Sequence, residues 1–262
     1  MRTAVIQLKS AQNREKNIKK ALCLVKCAVA RKAEFILLPE AFNFRGKVDL
    51  REGFKGIAEK IPGPSLMPLM ETAKKNKVAI LAGSICEKIS GGRKVYNTSV
   101  LINGRGEIAA KYRKVHLFDA QIGKVKVQET QHFAAGRKSV MAAVGPWKAG
   151  LSICYDLRFP GFYLKYKERG ADILCVPSAF TKMTGQAHWE ILLRARAVEN
   201  VCYVLAPNQI GKDGKGVVSY GNSMIVDPWG KILARASGDR EEIIFAELNK
   251  SLIKDRRNVL GV

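Results

Sequence analysis

Cys154 is the residue whose setting first suggests chemistry. It closes the apolar run L-S-I-C at residues 151–154, and Tyr-Asp-Leu-Arg turns the chain directly after it. A thiol between a strand end and a helix start meets free backbone N–H groups and a helix dipole, both of which favour thiolate. The N–H of Tyr155 stands beside it, available to hold an oxyanion. The alternative for such a cysteine is a small buried core residue. A thiol nucleophile also needs a proton carrier, and two kinds are present. His116, His132 and His188 are the three histidines, and no spacing singles one out. Glu40 is the carboxylate candidate: it ends F-I-L-L-P-E, at the C-terminal end of a strand-like run, where α/β sheets gather ligands. There it is either a cap on the following turn or a desolvated acid with a raised pKa. Lys114, in Y-R-K-V-H, is either solvated surface or a fixed positive charge.

Holding such residues together requires a frame. Short runs rich in Val, Ile and Leu recur along the chain, from T-A-V-I-Q-L at Thr3 to E-I-I-F-A-E-L ending at Leu248. Their length and bounding turn residues read as strands covered on both faces. Helical patterns lie between several of them. Residues 12–32 place Ile18, Ala21, Leu22, Val25 and Val29 at helical spacing, with lysines on the other face. Residues 65–77 follow Pro62-Gly63-Pro64, with Ser65 as the expected cap. Residues 187–199 carry Trp189, Leu192, Leu193 and Ala197. The segment from Phe159-Pro160 to Arg169-Gly170 has proline at its start and glycine at its end, the asymmetry of a helix. Asn103-Gly104-Arg105-Gly106 and Asp227-Pro228-Trp229-Gly230 each separate two strand-like runs and predict hairpins. Early strands alternate with helices and the late part reads mostly as strand, with no linker or repeat. The expectation is one layered α/β domain over 1–262, helices outside a sheet or a pair of sheets.

Taken together and in order, F-I-L-L-P-E (Glu40), Y-R-K-V-H-L-F-D (Lys114) and S-I-C-Y-D-L-R-F-P (Cys154) resemble the motifs of the nitrilase, or carbon-nitrogen hydrolase, superfamily. Glu129 in V-Q-E-T matches a second glutamate of that family. The segment from Pro177 to Asn200 and Y-G-N-S-M-I-V-D-P-W-G look like its omega-amidase and deaminated-glutathione-amidase branch. The resemblance implies a four-layer α-β-β-α sandwich and a Glu-Lys-Cys triad needing neither metal nor organic cofactor. In that scheme Cys154 attacks an amide carbonyl, Lys114 and the Tyr155 N–H hold the oxyanion, Glu40 moves the protons, and Glu129 positions Lys114. It further implies a small carboxylate-bearing amide as substrate, gripped by Arg158, with Phe180 and Thr184 lining the acyl pocket. Arg158 could instead pair with Asp156 or another acid. His188-Trp189-Glu190 and Arg194-Ala195-Arg196 read as framework, and His116 and Asp119 as support. A homodimer is implied, although the C-terminal D-R-R-N-V-L-G-V is short for this branch.

Composition bounds the alternatives. With 45 Lys and Arg against 23 Asp and Glu, the net charge is +22. That invites a nucleic-acid reading, but the cations are spread from end to end without interleaved aromatics. A basic surface suited to an acidic small substrate is the simpler account. No apolar run approaches the roughly 20 residues of a membrane span, and M-R-T-A-V-I-Q-L-K reads as a first strand rather than a signal peptide. Six cysteines without a C-x-x-C pair suggest reduced thiols in a cytoplasmic setting. Cys23 and Cys27 are four apart, with no nearby histidine to complete a zinc set. The competing functions are an N-carbamoyl-amine or aliphatic amide hydrolase on the same scaffold, or a non-catalytic basic binding protein.

Overall fold

The structure, a computed structural model, describes residues 1–49, 51–122 and 125–261. In chain order it begins with β1 (Arg2–Gln7), α1 (Arg14–Ala30), β2 (Phe35–Leu37), α2 (Met67–Asn76), β3 (Ala79–Lys88), β4 (Val95–Ile102) and β5 (Ile108–Arg113). A small hairpin, β6 (Asp119–Ile122) and β7 (Val125–Gln128), leads into the one-turn α3 (Glu129–His132). Then come β8 (Val140–Val144), β9 (Trp147–Leu151), α4 (Pro160–Glu168), β10 (Ile173–Cys175), α5 (Lys182–Asn200) and β11 (Tyr203–Ala206). The remainder is β12 (Ile210–Lys212), β13 (Val218–Tyr220), β14 (Met224–Val226), β15 (Ile232–Arg235), β16 (Glu242–Glu247) and α6 (Lys250–Leu260).

Two six-stranded sheets repeat one plan. The first has the order β16-β1-β2-β3-β4-β5 and the second β15-β14-β11-β10-β9-β8. In each, three adjacent strands are parallel: β1, β2 and β3, then β9, β10 and β11. Helices carry the crossovers, as parallel pairing demands. The flanking strands are antiparallel, and the hairpins expected at Asn103–Gly106 and Asp227–Gly230 join β4 to β5 and β14 to β15.

The period of two along each strand sorts the core into layers. Ala4, Ile6 and Leu8 pack with Ile36 and Leu38 against Ala21, Val25 and Ala28 of α1 and Leu69 and Ala73 of α2. Val5, Phe35, Leu37 and Leu81 belong to the other cluster, with Ala149, Leu151, Ile173 and Leu205 of the second sheet. Tyr163 of α4 and Trp189 of α5 close that cluster from outside. The expected α-β-β-α sandwich is the observed architecture. Among the described residues no helix is long and apolar enough to cross a membrane.

One local expectation is corrected. Ser65 does not cap α2: Leu66 is the N-cap residue, without a side-chain bond. Ser65 is buried and its hydroxyl and N–H both serve the carboxylate of Glu59, itself buried, which also accepts from Asn43. The buried charge took the hydroxyl that the helix end could leave to solvent. The late chain is mostly strand, as expected, and closes after β16 with α6. Its cap is Asn249, whose side chain accepts from Ser251 N–H, and Ile253 is its one buried residue.

Candidate active site

Glu40, Lys114 and Cys154 each lie just past the C-terminal end of a strand: β2, β5 and β9. Leu38 still bonds to Leu81 O at 3.0 Å, so the β2–β3 ladder runs almost to Glu40. Gly83 makes room for that segment. A Cβ there would stand 2.1 Å from Leu38 O and 2.2 Å from Pro39 O, so only glycine fits. Beyond Glu40, Ala41 adopts a left-handed φ of 52° and its N–H bonds to Ser84 Oγ at 2.9 Å. The chain turns sharply there and leaves the Glu40 carboxylate pointing into the sandwich.

Lys114 is held from both sides of its backbone, donating to Asn97 O at 2.9 Å and accepting from Gly136 N–H at 2.8 Å. Its side chain is 1% exposed and ends between two carboxylates. The ammonium lies 3.0 Å from Glu40 Oε1 and 2.9 Å from Glu129 Oε2. Glu129 opens α3, and it and Phe118 bond reciprocally through Phe118 N–H to Oε2 and Glu129 N–H to Phe118 O. Burial alone would strip Lys114 of its proton, but Glu129 and Glu40 hold its pKa well above the ordinary 10.5. The ammonium is therefore a permanent charge.

Cys154 begins a 3₁₀ turn, Cys154–Arg158, in the left-handed region at φ 49°. A non-glycine residue there is strained by roughly 1–3 kcal/mol and needs support. The support is Asp156, fully buried. Its Oδ2 accepts from Ile153 N–H at 2.8 Å and Tyr112 OH at 2.7 Å, and its Oδ1 from His116 N–H at 3.0 Å. Arg196, also buried, adds a bond from Nε to Leu157 O at 3.0 Å. The thiol bonds to the Glu40 carboxylate, and the N–H of Ala179 points to the sulfur. Tyr155 contributes one of the first N–H groups of the turn, which have no partner within it.

The electrostatics reverse two expectations. The helix-start argument predicts a thiolate, yet burial first and the Glu40 charge second push the Cys154 thiol well above 9.0. Glu40 was expected to be raised if desolvated. Burial does push it up, but the Lys114 ammonium and the bond from the thiol outweigh that and leave it below 4.5. Burial first, and the like charge of Glu40 after it, outweigh the Lys114 ammonium and leave Glu129 above 4.5. The resting pair is thus a neutral thiol donating to a carboxylate.

Around this centre, Arg158 does not pair with Asp156, whose oxygens are taken. Its Nη2 lies 3.2 Å from His188 Nδ1 and its guanidinium faces the Tyr155 and Phe180 rings at 5.8 and 5.5 Å. Phe180 is buried against Trp189, with ring centroids 4.8 Å apart. Thr184 lies in the first turn of α5, its hydroxyl 3.0 Å from that of the N-cap Thr181. His116 Nδ1 lies 2.7 Å from Asp156 Oδ1, which accepts from it, and the ring stacks on Phe159 at 3.7 Å. Asp119 accepts from Thr130 N–H at 3.0 Å and so braces α3. Trp189 Nε1 bonds to Asn222 O and Arg194 Nε to Gly230 O, the framework expected of them, whereas His188 joins the rim of the site. His132 packs on Phe54 instead, at 5.3 Å. Among the described residues, no group of three His, Cys, Asp or Glu could hold a metal ion, Cys23 and Cys27 included.

The carbon-nitrogen hydrolase family profile matches residues 2–258. The chain belongs to that family. This carbon-nitrogen hydrolase is 36% identical to omega-amidase NIT2 of Danio rerio, over 100% of its own length and 92% of the relative's. It is 38% identical to deaminated glutathione amidase of Dictyostelium discoideum, covering 98% of this chain and 90% of that one. Among solved structures it matches the C. elegans NitFhit protein at a TM-score of 0.89 and 37% identity. That match covers 99% of this hydrolase but only 63% of the longer NitFhit chain.

Sequence reasoning missed several residues that hold the site. Asn97 gives Nδ2 to Glu40 Oε1 at 2.9 Å while its carbonyl fixes Lys114. Gln209 donates to Glu40 O at 2.9 Å and to Ser10 Oγ at 3.0 Å, tying the two sheets at the site. Asp156 was read only as a partner for Arg158. The available signal was polarity out of place: Asn97 interrupts an apolar strand, and a buried amide or carboxylate persists only when bonded.

Proposed function

We propose that this hydrolase is an amidase that cleaves a small carboxylate-bearing amide through a Cys154 thioester. Cys154 attacks the carbonyl carbon as its proton passes to Glu40. The Lys114 ammonium and the Tyr155 N–H hold the oxyanion, already oriented where charge develops. Glu40 returns the proton to the leaving nitrogen, the C–N bond breaks, and the nitrogen departs as ammonia from a primary amide or as an amine from an N-substituted one such as deaminated glutathione. Glu40 then takes a proton from water, whose oxygen attacks the thioester, releasing the acid and restoring the thiol. Glu129 fixes the ammonium on the side away from Glu40. The observation that carries the reading is the buried Lys114 ammonium between two carboxylates, one of which holds the Cys154 thiol. Such an arrangement is costly unless used, since removing two buried charges often stabilises a protein.

Arg158, beside Phe180 and His188, favours an acyl portion ending in a carboxylate, gripped by two hydrogen bonds. That supports an alpha-keto-acid amide such as alpha-ketoglutaramate or deaminated glutathione over a carbamoyl or aliphatic amide. The test is product release from a panel of these four kinds of substrate, with Cys154→Ala and Arg158→Ala beside the wild type. Cys154→Ala abolishes turnover of every substrate. Arg158→Ala raises KM for the keto-acid amides roughly 10–100-fold and leaves a neutral aliphatic amide unaffected. Turnover surviving Cys154→Ala would sink the mechanism, and turnover of only the carbamoyl compound would replace the substrate class.

The whole chain 1–262 is read as one catalytic unit acting in the cytoplasm as a homodimer. The exposed Leu164 of α4 and Ile191 and Val198 of α5 support a covered outer face. Light scattering would give a mass near twice 28.9 kDa. A basic surface serving nucleic acid is disfavoured by the assembled triad.

A further inference from the structure

Of the six cysteines, only Cys23 and Cys27 are exposed; Cys175 and Cys202 are buried, and Cys86 and Cys154 are half-buried. Both exposed thiols stand on α1. Four residues advance a helix by about 40°, so the two lie one above the other on a single face. That face is the outward one, since Ala21, Val25 and Ala28 bury the other side against the first sheet. Together with Lys19, Leu22, Lys26 and Ala30 the thiols line a shallow groove. Lys20 nearby is engaged, its ammonium pairing with Glu241 at 2.7 Å and donating to Lys9 O at 2.7 Å. Lys19 and Lys26 pair with no carboxylate among the described residues.

The spacing decides what two such thiols can do. Cβ atoms four residues apart on a helix stand about 5–6 Å from one another, whereas a disulfide needs roughly 3.5–4.5 Å. Closing that bond would require the backbone of α1 to move. A single atom placed between the sulfurs is a different matter. Two metal–sulfur bonds of about 2.3 Å in line span about 4.6 Å, which the side chains reach with the helix undisturbed. The pair is too wide for a sulfur–sulfur bond and suited to a sulfur–metal–sulfur bridge.

The number and charge of the ligands select the ion. Zinc asks for four ligands, and among the described residues no third His, Cys, Asp or Glu joins the pair. Thiolates favour soft ions, cuprous ion among them, and that ion is satisfied by two ligands in line. Two thiolates and one cuprous ion carry a net charge of −1. Lys19, four residues before Cys23, and Lys26, three after it, are its neighbours on the helix surface and supply the balancing charge. A dication would leave the complex neutral and those ammoniums without a counter-charge.

We propose that Cys23 and Cys27 bind one cuprous ion as a two-coordinate bis-thiolate, on the outer face of α1 and apart from the amidase centre. Two S–H bonds break and two S–Cu bonds form. Both protons pass to solvent, and copper remains Cu(I) throughout. Neither the substrate nor the hydrolytic mechanism enters into it.

The test is an anaerobic titration of the full chain with cuprous ion against bicinchoninate, a chelator that colours on binding it. Cys154→Ala serves as the background, so that the catalytic thiol takes no part. This protein withholds one ion per chain from the chelator. Adding Cys23→Ser or Cys27→Ser weakens binding by more than roughly 100-fold, beyond the loss of an outer partner, and Lys19→Ala or Lys26→Ala weakens it roughly tenfold. No ion withheld overturns the proposal, as does binding at full strength in both serine variants. Unaltered affinity in both lysine variants refutes the charge balance that selects a monovalent ion. Zinc held as tightly as cuprous ion, read against a zinc indicator, refutes two-coordination, and one ion per two chains refutes a site built on one helix.

Discussion

Replacing Lys114 by methionine removes one charge and keeps most of the volume. The consequence follows from what remains: two carboxylates, Glu40 and Glu129, buried near one another without the ammonium 3.0 and 2.9 Å away. Like charges in such a site do not both stay ionised; one takes up a proton. Holding a proton at pH 7 on a carboxyl whose ordinary value is 4.5 costs about 3.4 kcal/mol, at about 1.36 kcal/mol per pH unit. The sign is set by linkage. In the variant the folded-state pKa is raised above the unfolded one, so the penalty is largest above the folded value and disappears as pH falls to about 4.5. At pH 5 about 0.7 kcal/mol remains. Wild type runs the opposite way, since Glu40 lies below 4.5 and its contribution is lost only as pH falls through that range. Urea unfolding followed by the fluorescence of the buried Trp147 and Trp189 reads both proteins at pH 7 and pH 5. The expected gap is about 3 kcal/mol at pH 7, or roughly 6–12 °C in Tm, narrowing by most of that amount at pH 5. A gap of equal size at the two pH values would assign the loss to packing and refute the electrostatic account.

Asn97→Ala removes the donor to Glu40 Oε1, a bond to a buried charge worth about 1.5–3 kcal/mol. The expected result is a kcat/KM roughly 10–100-fold lower, with the acid limb of the pH profile moved to higher pH because the ionised carboxylate has lost support. An unmoved acid limb would show that Asn97 serves only Lys114. Gly83→Ala forces a methyl group onto the carbonyls of Leu38 and Pro39. We expect a stability loss of roughly 1–3 kcal/mol together with a fall in kcat, and native-like kcat in the variant would mean that Glu40 does not depend on this close approach.

Part of this protein is written locally. The first strand, the two hairpin turns and α4 between Pro160 and Gly170 follow from periodicity, glycine and proline, which act over a few residues. Glu40 and Cys154 could be marked for the same reason, since each ends a strand-like run, whereas Lys114 stood out only through the family resemblance. Other features gave only a weak local signal. α6 buries little beyond Ile253, so it carries almost no apolar period, and Ser65 had the right neighbours for a cap before a buried carboxylate took it.

What only the tertiary structure decided is how these residues act on one another. Glu40 and Lys114 are 74 positions apart and meet because β2 and β5 end on the same side of one sheet. Cys154 joins them from the other sheet. The state of the thiol could not be inferred from its place at a helix start, because burial and a carboxylate from a different strand outweigh a dipole that acts within one turn. Propensity and period are properties of neighbours in sequence. Desolvation and charge pairing are properties of neighbours in space, and in this hydrolase they set the chemistry.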